Sequence, residues 1–249
     1  MDATVQLAVR ELVRSFMAKW LDDSVPDPAN REAEGALAPF HDALVPGIRL
    51  LNERSFSTRL GNLHEAVAAA IADDFHARVV QPLDLSGTIS LLAREFITQR
   101  VHQLEHREAP PDAHFERDQI RNSFGGVVDA GTRIDLFIET HGGEEHYFEI
   151  KSAKPNKGQC IEMKQRLLTA FAIRREYDAH CWWGVPYNPY GNAIYSHNYP
   201  LPFFDFPSEV MLGEPFWEFV GGPGTYDAVQ QIYGDVGGEF APRIAALRR

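Results

Sequence analysis

The stretch RIDLFIETHGGEEHYFEIKSAKPNKGQ, from Arg133 to Gln159, decides the fold. Two apolar runs flank the turn signal HGGEE, which predicts a β-hairpin with one carboxylate on each strand, Asp135 and Glu149. Lys151 lies two residues after Glu149, so its side chain leaves the strand on the same face. An Asp inside an apolar strand is unusual, because an unpaired carboxylate is costly to bury. The stretch therefore predicts two carboxylates and an ammonium around one point.

These three side chains suit phosphodiester hydrolysis. Two carboxylates are oxygen ligands of the kind that Mg²⁺ prefers, and a bound Mg²⁺ stabilises negative charge on a phosphate and activates water. A lysine beside the metal orients or deprotonates that water and offsets developing charge. The spacing alone leaves a second interpretation open, in which Asp135, Glu149 and Lys151 form an ordinary exposed ion pair on a surface hairpin.

The lysines of this acidic chain gather directly behind the hairpin. The net charge is −11, and 24 residues are basic, but lysine occurs only at positions 19, 151, 154, 157 and 164. The segment KSAKPNKGQ places Lys154, Asn156, Lys157 and Gln159 where a phosphate backbone would pass. A solvated turn explains the same segment equally well, so both interpretations stay open.

Composition bounds the class of protein. The chain has 249 residues, 44% of them hydrophobic and 24% charged, as expected for a soluble globular protein. No apolar run has the roughly 18–20 residues of a membrane span, and the N-terminus does not have the pattern of a signal peptide, so we expect a cytoplasmic protein that does not bind membranes. Cys160 and Cys181 show no metal-binding spacing and are expected to be buried, reduced thiols.

Periodicity predicts a mixed α/β fold with a helical N-terminal layer. We expect the layer to cover 1–110 and a core with a helical C-terminal tail to cover 111–249, together forming one compact domain. The predicted helices cover 2–21, 34–44, 61–80, 85–108 and 159–177, and three short helices are expected in the tail, broken by GGPG and VGG. The aromatic run HCWWGVPYN is expected to be a buried strand. His64 is expected on the surface of its helix, with an approach to the catalytic site beside Glu65 as the alternative.

The segment DLFIE…HYFEIKSAKPNKGQ resembles the PD-(D/E)XK nuclease core, and within that superfamily it resembles the TdeIII family of type II restriction endonucleases. Similar segments are RSFSTRLGNLHEAVA (54–68), VPYNPYG (185–191) and the stretch from 209 to 237. The resemblance implies a central mixed β-sheet flanked by helices and Mg²⁺ as the cofactor. It implies that Asp135 and Glu149 bind the metal and that Lys151 is the catalytic lysine. Ile134 stands where the superfamily often has proline.

The resemblance also assigns supporting residues. Glu65 matches the further acid that the superfamily often carries on a helix before the core. Gln159 matches a glutamine often found near the scissile strand. Lys154, Asn156 and Lys157 complete the set of expected DNA contacts.

Three functions follow as hypotheses. The first is a type II restriction endonuclease, a homodimer that cleaves double-stranded DNA and leaves 5′-phosphate and 3′-hydroxyl ends. The resemblance implies that its site is short, palindromic and GC-rich, of the GGNCC type. A cognate DNA methyltransferase would act on the same site without needing to bind this protein. The second is a PD-(D/E)XK nuclease of DNA repair or of nonspecific cleavage. The third is a helical interaction protein without enzymatic activity.

Overall fold

The computed structural model describes residues 1–23, 40–45 and 53–246. The helices in these ranges are α1 (Ala3–Asp23), α2 (Phe40–Leu44), α3 (Glu53–Phe75), α4 (Leu91–Glu105), α5 (Ala113–Arg121), α6 (Lys157–Ile173), α7 (Phe206–Glu209), α8 (Glu214–Gly221) and α9 (Thr225–Ala246). The strands are β1 (Arg78–Val80), β2 (Leu83–Ser90), β3 (Val127–Ile134), β4 (Leu136–Glu139), β5 (Glu145–Ile150), β6 (Ala179–Val185) and β7 (Val210–Leu212). The predicted helices at 2–21 and 159–177 and the strand in HCWWGVPYN are confirmed.

The chain forms two compact units. One contains Met1–Phe75, Pro186–Tyr195 and Leu212–Arg249, and the other contains His76–Val185 and Ser196–Met211. The division predicted at residue 110 stays a prediction. No helix in the described ranges is long and apolar enough to cross a membrane.

The first unit is helical. Helix α1 packs against α3 and α9, α2 packs against α9, and α8 packs against α3 and α9. The buried face of α1 carries Val5, Val9, Val13 and Met17, one residue per helical turn. From the sequence, the apolar face of this helix is predicted to include Val5, Leu7, Val13 and Trp20. Val5, Val13 and Trp20 are buried, whereas Leu7 is 60% exposed, so the predicted face is only partly the buried one.

The boundaries of the other helices in this unit differ from those predicted. Helix α3 begins at Glu53 and ends at Phe75. The predicted helix, 61–80, therefore starts eight residues after the observed start and extends five residues past the observed end. Of the helix predicted over 34–44, α2 accounts for the last part, and residues 34–39 lie outside the described residues.

The tail was predicted to carry three short helices broken by GGPG and VGG, but in this unit it carries two, α8 and α9. GGPG separates α8 from α9, but VGG lies inside α9. A Cβ at Gly237 would meet the carbonyl oxygen of Ala43 at 2.1 Å. The glycine is therefore present because the backbone of α2 lies directly against this turn of α9, and its presence does not end the helix.

The second unit is built on a five-stranded mixed sheet with the order β1-β4-β5-β6-β7. Strand β4 is antiparallel to both β1 and β5, whereas β5 and β6 are parallel. Parallel neighbours require a crossover, and α6 supplies it and packs against β5 and β6. The predicted mixed sheet flanked by helices is thereby confirmed.

The two strands between β1 and β4 in the chain form a separate two-stranded ribbon. Strands β2 and β3 pair antiparallel from Leu83↔Ile134 to Ser90↔Val127. The helix predicted over 85–108 is therefore wrong in its first part, because the sequence LSGTIS pairs with a β-branched partner strand. Helix α4 begins only after Ser90, whose hydroxyl accepts a hydrogen bond from the Ala93 N–H at 3.0 Å.

Candidate active site

Asp135 lies at the point where the chain passes from the ribbon to the five-stranded sheet. The predicted single strand is interrupted there, with β3 ending at Ile134 and β4 beginning at Leu136. The register of β4 and β5 pairs Leu136 with Phe148, which brings Asp135 level with Glu149 across the pair. Lys151 follows the end of β5 directly. The strand order thus gathers all three residues at one end of β5.

The contacts confirm that these side chains converge. The Lys151 Nζ lies 2.6 Å from Asp135 Oδ2 and 3.7 Å from Glu149 Oε2. Asp135 Oδ2 also accepts a hydrogen bond from the backbone N–H of Ile150 at 2.8 Å. This bond fixes the Asp135 carboxylate to the last residue of β5. The interpretation as an ordinary exposed ion pair is wrong for this site, because Glu149 is fully buried.

Burial sets the electrostatics of the pair. The pKa of Glu149 is raised to about 8, first because burial disfavours its charged form and then because the charge of Asp135 lies nearby. Lys151 and Arg166 act in the opposite direction and lower this pKa. A buried carboxylate beside a second, partly buried one favours a nearby cation.

The donor set fits a hard divalent cation. Asp135 and Glu149 present oxygen ligands that converge on one point, as the shared contact with Lys151 Nζ shows. A second group with ligand atoms close together, Glu144, Asp178 and His180, lies in the same unit. It sits near the amino ends of β5 and β6, whereas Glu149 lies near the carboxyl end of β5. The two groups therefore cannot hold the same ion.

Two of the predicted DNA contacts cap helix α6. The Asn156 Oδ1 accepts the backbone N–H of Gln159 at 3.0 Å, and the Gln159 Oε1 accepts the backbone N–H of Asn156 at 2.9 Å. This reciprocal capping box fixes the start of α6. Sequence reasoning assigned both residues to DNA and missed this role, although Asn three residues before Gln is a recognisable capping pattern.

The lysines behind the hairpin differ in their surroundings. Lys157 is exposed, and its Nζ lies 3.0 Å from a carboxylate oxygen of Glu105 on α4. Lys154 is half-buried in the loop before α6. Lys164 is completely buried, and its Nζ lies 2.5 Å from Glu116 and 2.6 Å from Glu209. Arg100 completes this group through its Nε, 2.8 Å from Glu116. Lys164 therefore belongs to a buried ionic network.

Sequence reasoning missed Arg166 as a neighbour of the site. Its Nη1 donates to Glu149 Oε2 at 3.3 Å, and its Nη2 pairs with Glu162 one turn earlier on α6. The sequence signal is the Glu-x-x-x-Arg spacing on the helix that follows the hairpin. Only the packing of α6 on β5 shows that the same arginine reaches the buried carboxylate.

Glu65 and its neighbour His64 lie on α3 in the helical unit. Glu65 is half-buried, and its assignment to the site stays a prediction. His64 was predicted on the helix surface, and this is wrong, because only 2% of it is exposed. Its ring stacks on Tyr233 and meets Phe40 edge-on. The aromatic partners come from α2 and α9, so no local pattern around His64 reveals them.

Comparison with known proteins identifies a family. The family model described as type II restriction endonuclease, HinfI, matches residues 5–237. The type II restriction enzyme HgiEI of Herpetosiphon aurantiacus is 35% identical over 82% of this chain and 78% of its own length. HgiBI from the same organism is 34% identical over 84% of this chain and 81% of its own length. HgiCII, also from that organism, is 33% identical over 82% and 79%. No solved structure gives a significant match.

Proposed function

The chain belongs to the HinfI family of type II restriction endonucleases, and from this premise we propose that Asp135, Glu149 and Lys151 form its DNA-cleaving centre. Enzymes of this kind are site-specific deoxyribonucleases, so family membership favours the class of the first function considered from the sequence, a type II restriction endonuclease. The observation that carries the assignment is the position of Lys151 Nζ within 2.6 Å and 3.7 Å of the two carboxylates.

We assign the centre to the PD-(D/E)XK superfamily. The support is the acid at the entry to β4, followed by Glu-Ile-Lys at the end of β5, on a mixed sheet flanked by helices. The likeness to the TdeIII family, drawn from the KPNK and YNPYG segments, stands as a prediction beside the HinfI membership.

Asp135 and Glu149 would hold Mg²⁺, which supplies charge stabilisation at the scissile phosphate and activates water when bound. The Lys151 ammonium, held by Asp135, donates hydrogen bonds that orient the attacking water and offset charge on the phosphate. The water oxygen forms a bond to phosphorus, and the bond from phosphorus to O3′ breaks. The water releases a proton to solvent and O3′ takes one up, which leaves 5′-phosphate and 3′-hydroxyl ends.

Helix α6 and the loop before it would hold the DNA backbone. Lys154 and Lys157 supply positive charge to phosphates, and Lys157 would exchange its contact with Glu105 for one with DNA. The capping box uses only the amide oxygens of Asn156 and Gln159. Their NH₂ groups are hydrogen-bond donors, which suits a phosphate oxygen. The cap and the DNA contact are therefore compatible. Glu65 is proposed as the further acid of the site.

The remaining proposals concern specificity and assembly. We propose a homodimer, because one centre cleaves one strand. In a palindromic site a two-fold axis relates the two strands, and a two-fold symmetric dimer would place one centre at each strand. The recognition site is proposed to be of the GGNCC type, with Arg or Lys reading guanines in the major groove. A cognate methyltransferase would protect the same site. We place the enzyme in the cytoplasm.

A plasmid digest tests this function. Unmethylated plasmid incubated with the protein and Mg²⁺ is expected to give discrete bands with 5′-phosphate ends, and EDTA is expected to stop the reaction. Asp135→Asn is expected to remove cleavage. A smear of fragments would favour the nonspecific nuclease, and cleavage that persists in EDTA would rule out the metal mechanism.

A further inference from the structure

Helix α6 is clamped to strand β5 at two points. Arg174 pairs with Glu145 at the beginning of the strand, and Arg166 pairs with Glu149 near its end. Arg166 lies on α6 and Arg174, eight residues later, caps its C-terminus, while the two glutamates are four residues apart on β5. Both separations correspond to about 12–13 Å. The helix therefore runs antiparallel to the strand, and one Arg–Glu ion pair joins them at each end of the strand.

The two ion pairs differ in their geometry. Arg174 makes a close two-point contact, with Nε 2.8 Å from Glu145 Oε2 and Nη2 2.5 Å from Oε1. Arg166 reaches Glu149 through Nη1 alone, at 3.3 Å and 3.5 Å from the two oxygens, while its Nη2 pairs with Glu162. Bidentate contacts at short distance are the strong form of this interaction. The Arg174–Glu145 ion pair is therefore the stronger of the two, and the Arg166–Glu149 ion pair is the weaker.

The weaker ion pair, Arg166–Glu149, involves the proposed metal ligand Glu149. The Arg166 side chain is 30% exposed and that of Glu162 is 55% exposed, while Glu149 is fully buried. The guanidinium thus lies between a buried carboxylate and solvent. Any divalent cation bound by Glu149 would compete with this guanidinium for the same oxygens. A guanidinium that loses its carboxylate is well suited to a phosphate, which it binds in the same planar geometry.

We propose that Arg166 exchanges partners during the reaction. In the free enzyme it holds Glu149 in place, and when Glu149 takes the metal, Arg166 moves to the scissile phosphate. This inference rests on the proposed function of Asp135, Glu149 and Lys151. It adds that the metal and Arg166 compete for Glu149, and that the released guanidinium assists cleavage.

The test compares Arg166→Met with Arg174→Met, since methionine keeps much of the aliphatic length in both. Mn²⁺ affinity in the absence of DNA is measured by isothermal titration calorimetry, and single-turnover cleavage is measured with Mg²⁺. Arg166→Met is expected to bind Mn²⁺ about tenfold more tightly, because a competing charged hydrogen bond is gone. It is expected to cleave about 10–100-fold more slowly. Arg174→Met is expected to lower the melting temperature and leave Mn²⁺ affinity unchanged.

A residue that only supports the metal ligand would give the opposite affinity change, since loss of such support weakens metal binding about 10–100-fold. Weaker Mn²⁺ binding by Arg166→Met, or cleavage at the wild-type rate, would overturn the exchange. Arg166→Lys keeps the positive charge on one ammonium group in place of the guanidinium. It is expected to recover part of the cleavage rate, with Mn²⁺ affinity near that of the wild type. Melting curves exclude unfolded variants.

Failure of the proposed function itself has a different signature. Mn²⁺ affinity that is unchanged by Asp135→Asn would show that the metal does not bind at this centre. If Asp135→Asn abolishes Mn²⁺ binding while Arg166→Met has no effect on affinity or rate, the centre stands and the role of Arg166 falls.

Discussion

Burial of His64 makes the stability of this enzyme depend on pH. The imidazole stacks on Tyr233 with ring centroids 5.7 Å apart and planes only 8° apart, and its Nδ1 lies 3.3 Å from the Tyr233 hydroxyl. Desolvation lowers the pKa of His64 to about 3. The folded protein therefore keeps this ring neutral at neutral and mildly acidic pH.

The sign of the effect follows from proton binding. In the unfolded chain, His64 has a pKa of about 6.5 and takes up a proton as the pH falls, whereas the folded protein does not. The contribution of neutral His64 to the free energy of unfolding is thus fully present above pH 6.5 and is lost progressively as the pH falls from 6.5 toward 3. Between pH 8 and pH 5 the loss is about 2 kcal/mol, since 1.5 pKa units are crossed at 1.36 kcal/mol each.

Urea unfolding at pH 8, 7, 6 and 5 measures this loss. His64→Phe keeps an aromatic ring but removes the titration, so its free energy of unfolding is expected to fall less between pH 8 and pH 5 than that of the wild type, by about 2 kcal/mol. His141→Asn, at an exposed turn position, is the control and is expected to keep the wild-type pH dependence. Because burial also lowers the pKa of His146, to about 4, only the difference between variant and wild type isolates His64. Equal pH dependence of His64→Phe and wild type would refute the reasoning.

Three further predictions follow from the contacts. Lys164→Met is expected to lower the free energy of unfolding by about 3–5 kcal/mol, because it removes a buried partner of Glu116 and Glu209; an unchanged urea midpoint would contradict the buried network. Lys154→Ala and Lys157→Ala are each expected to weaken DNA binding on any sequence and to reduce its salt dependence by about one counterion; an unchanged salt slope in fluorescence anisotropy would return these lysines to a solvated turn. Light scattering of the Ca²⁺–DNA complex is expected to give the mass of a dimer on one duplex, and a monomer that only nicks plasmid would contradict it.

Local pattern predicted the parts of the fold in which neighbours in sequence decide the structure. Helix α1, the turn between β4 and β5 and helix α6 all appear where the sequence indicated them. The convergence of Asp135, Glu149 and Lys151 followed from the hairpin and the alternation of side chains along β5. The core of the candidate site was therefore readable from one stretch of sequence.

The features that the sequence did not reveal depend on partners far away in the chain. The segment 83–90 is a strand because it pairs with β3, and Gly237 lies within a helix because α2 passes against it. His64 is buried by rings from other helices, and Lys164 is buried among acids from α5 and α7. Gly237, His64 and Lys164 are small or polar, and the sequence around each of them suits an exposed position as well as a buried one. Only tertiary packing decides between the two.

The central claim is that Lys151 performs chemistry and does not simply hold DNA. The most direct measurement compares single-turnover cleavage and DNA affinity for wild type, Lys151→Ala and Lys154→Ala, with affinity measured in Ca²⁺. Lys151→Ala is expected to lose cleavage while its affinity for cognate DNA stays within about threefold, since the Lys151 ammonium already lies against the carboxylates of Asp135 and Glu149. Lys154→Ala is expected to show the reverse, with weaker binding and nearly normal cleavage at saturating protein. Cleavage by Lys151→Ala at the wild-type rate would contradict the account.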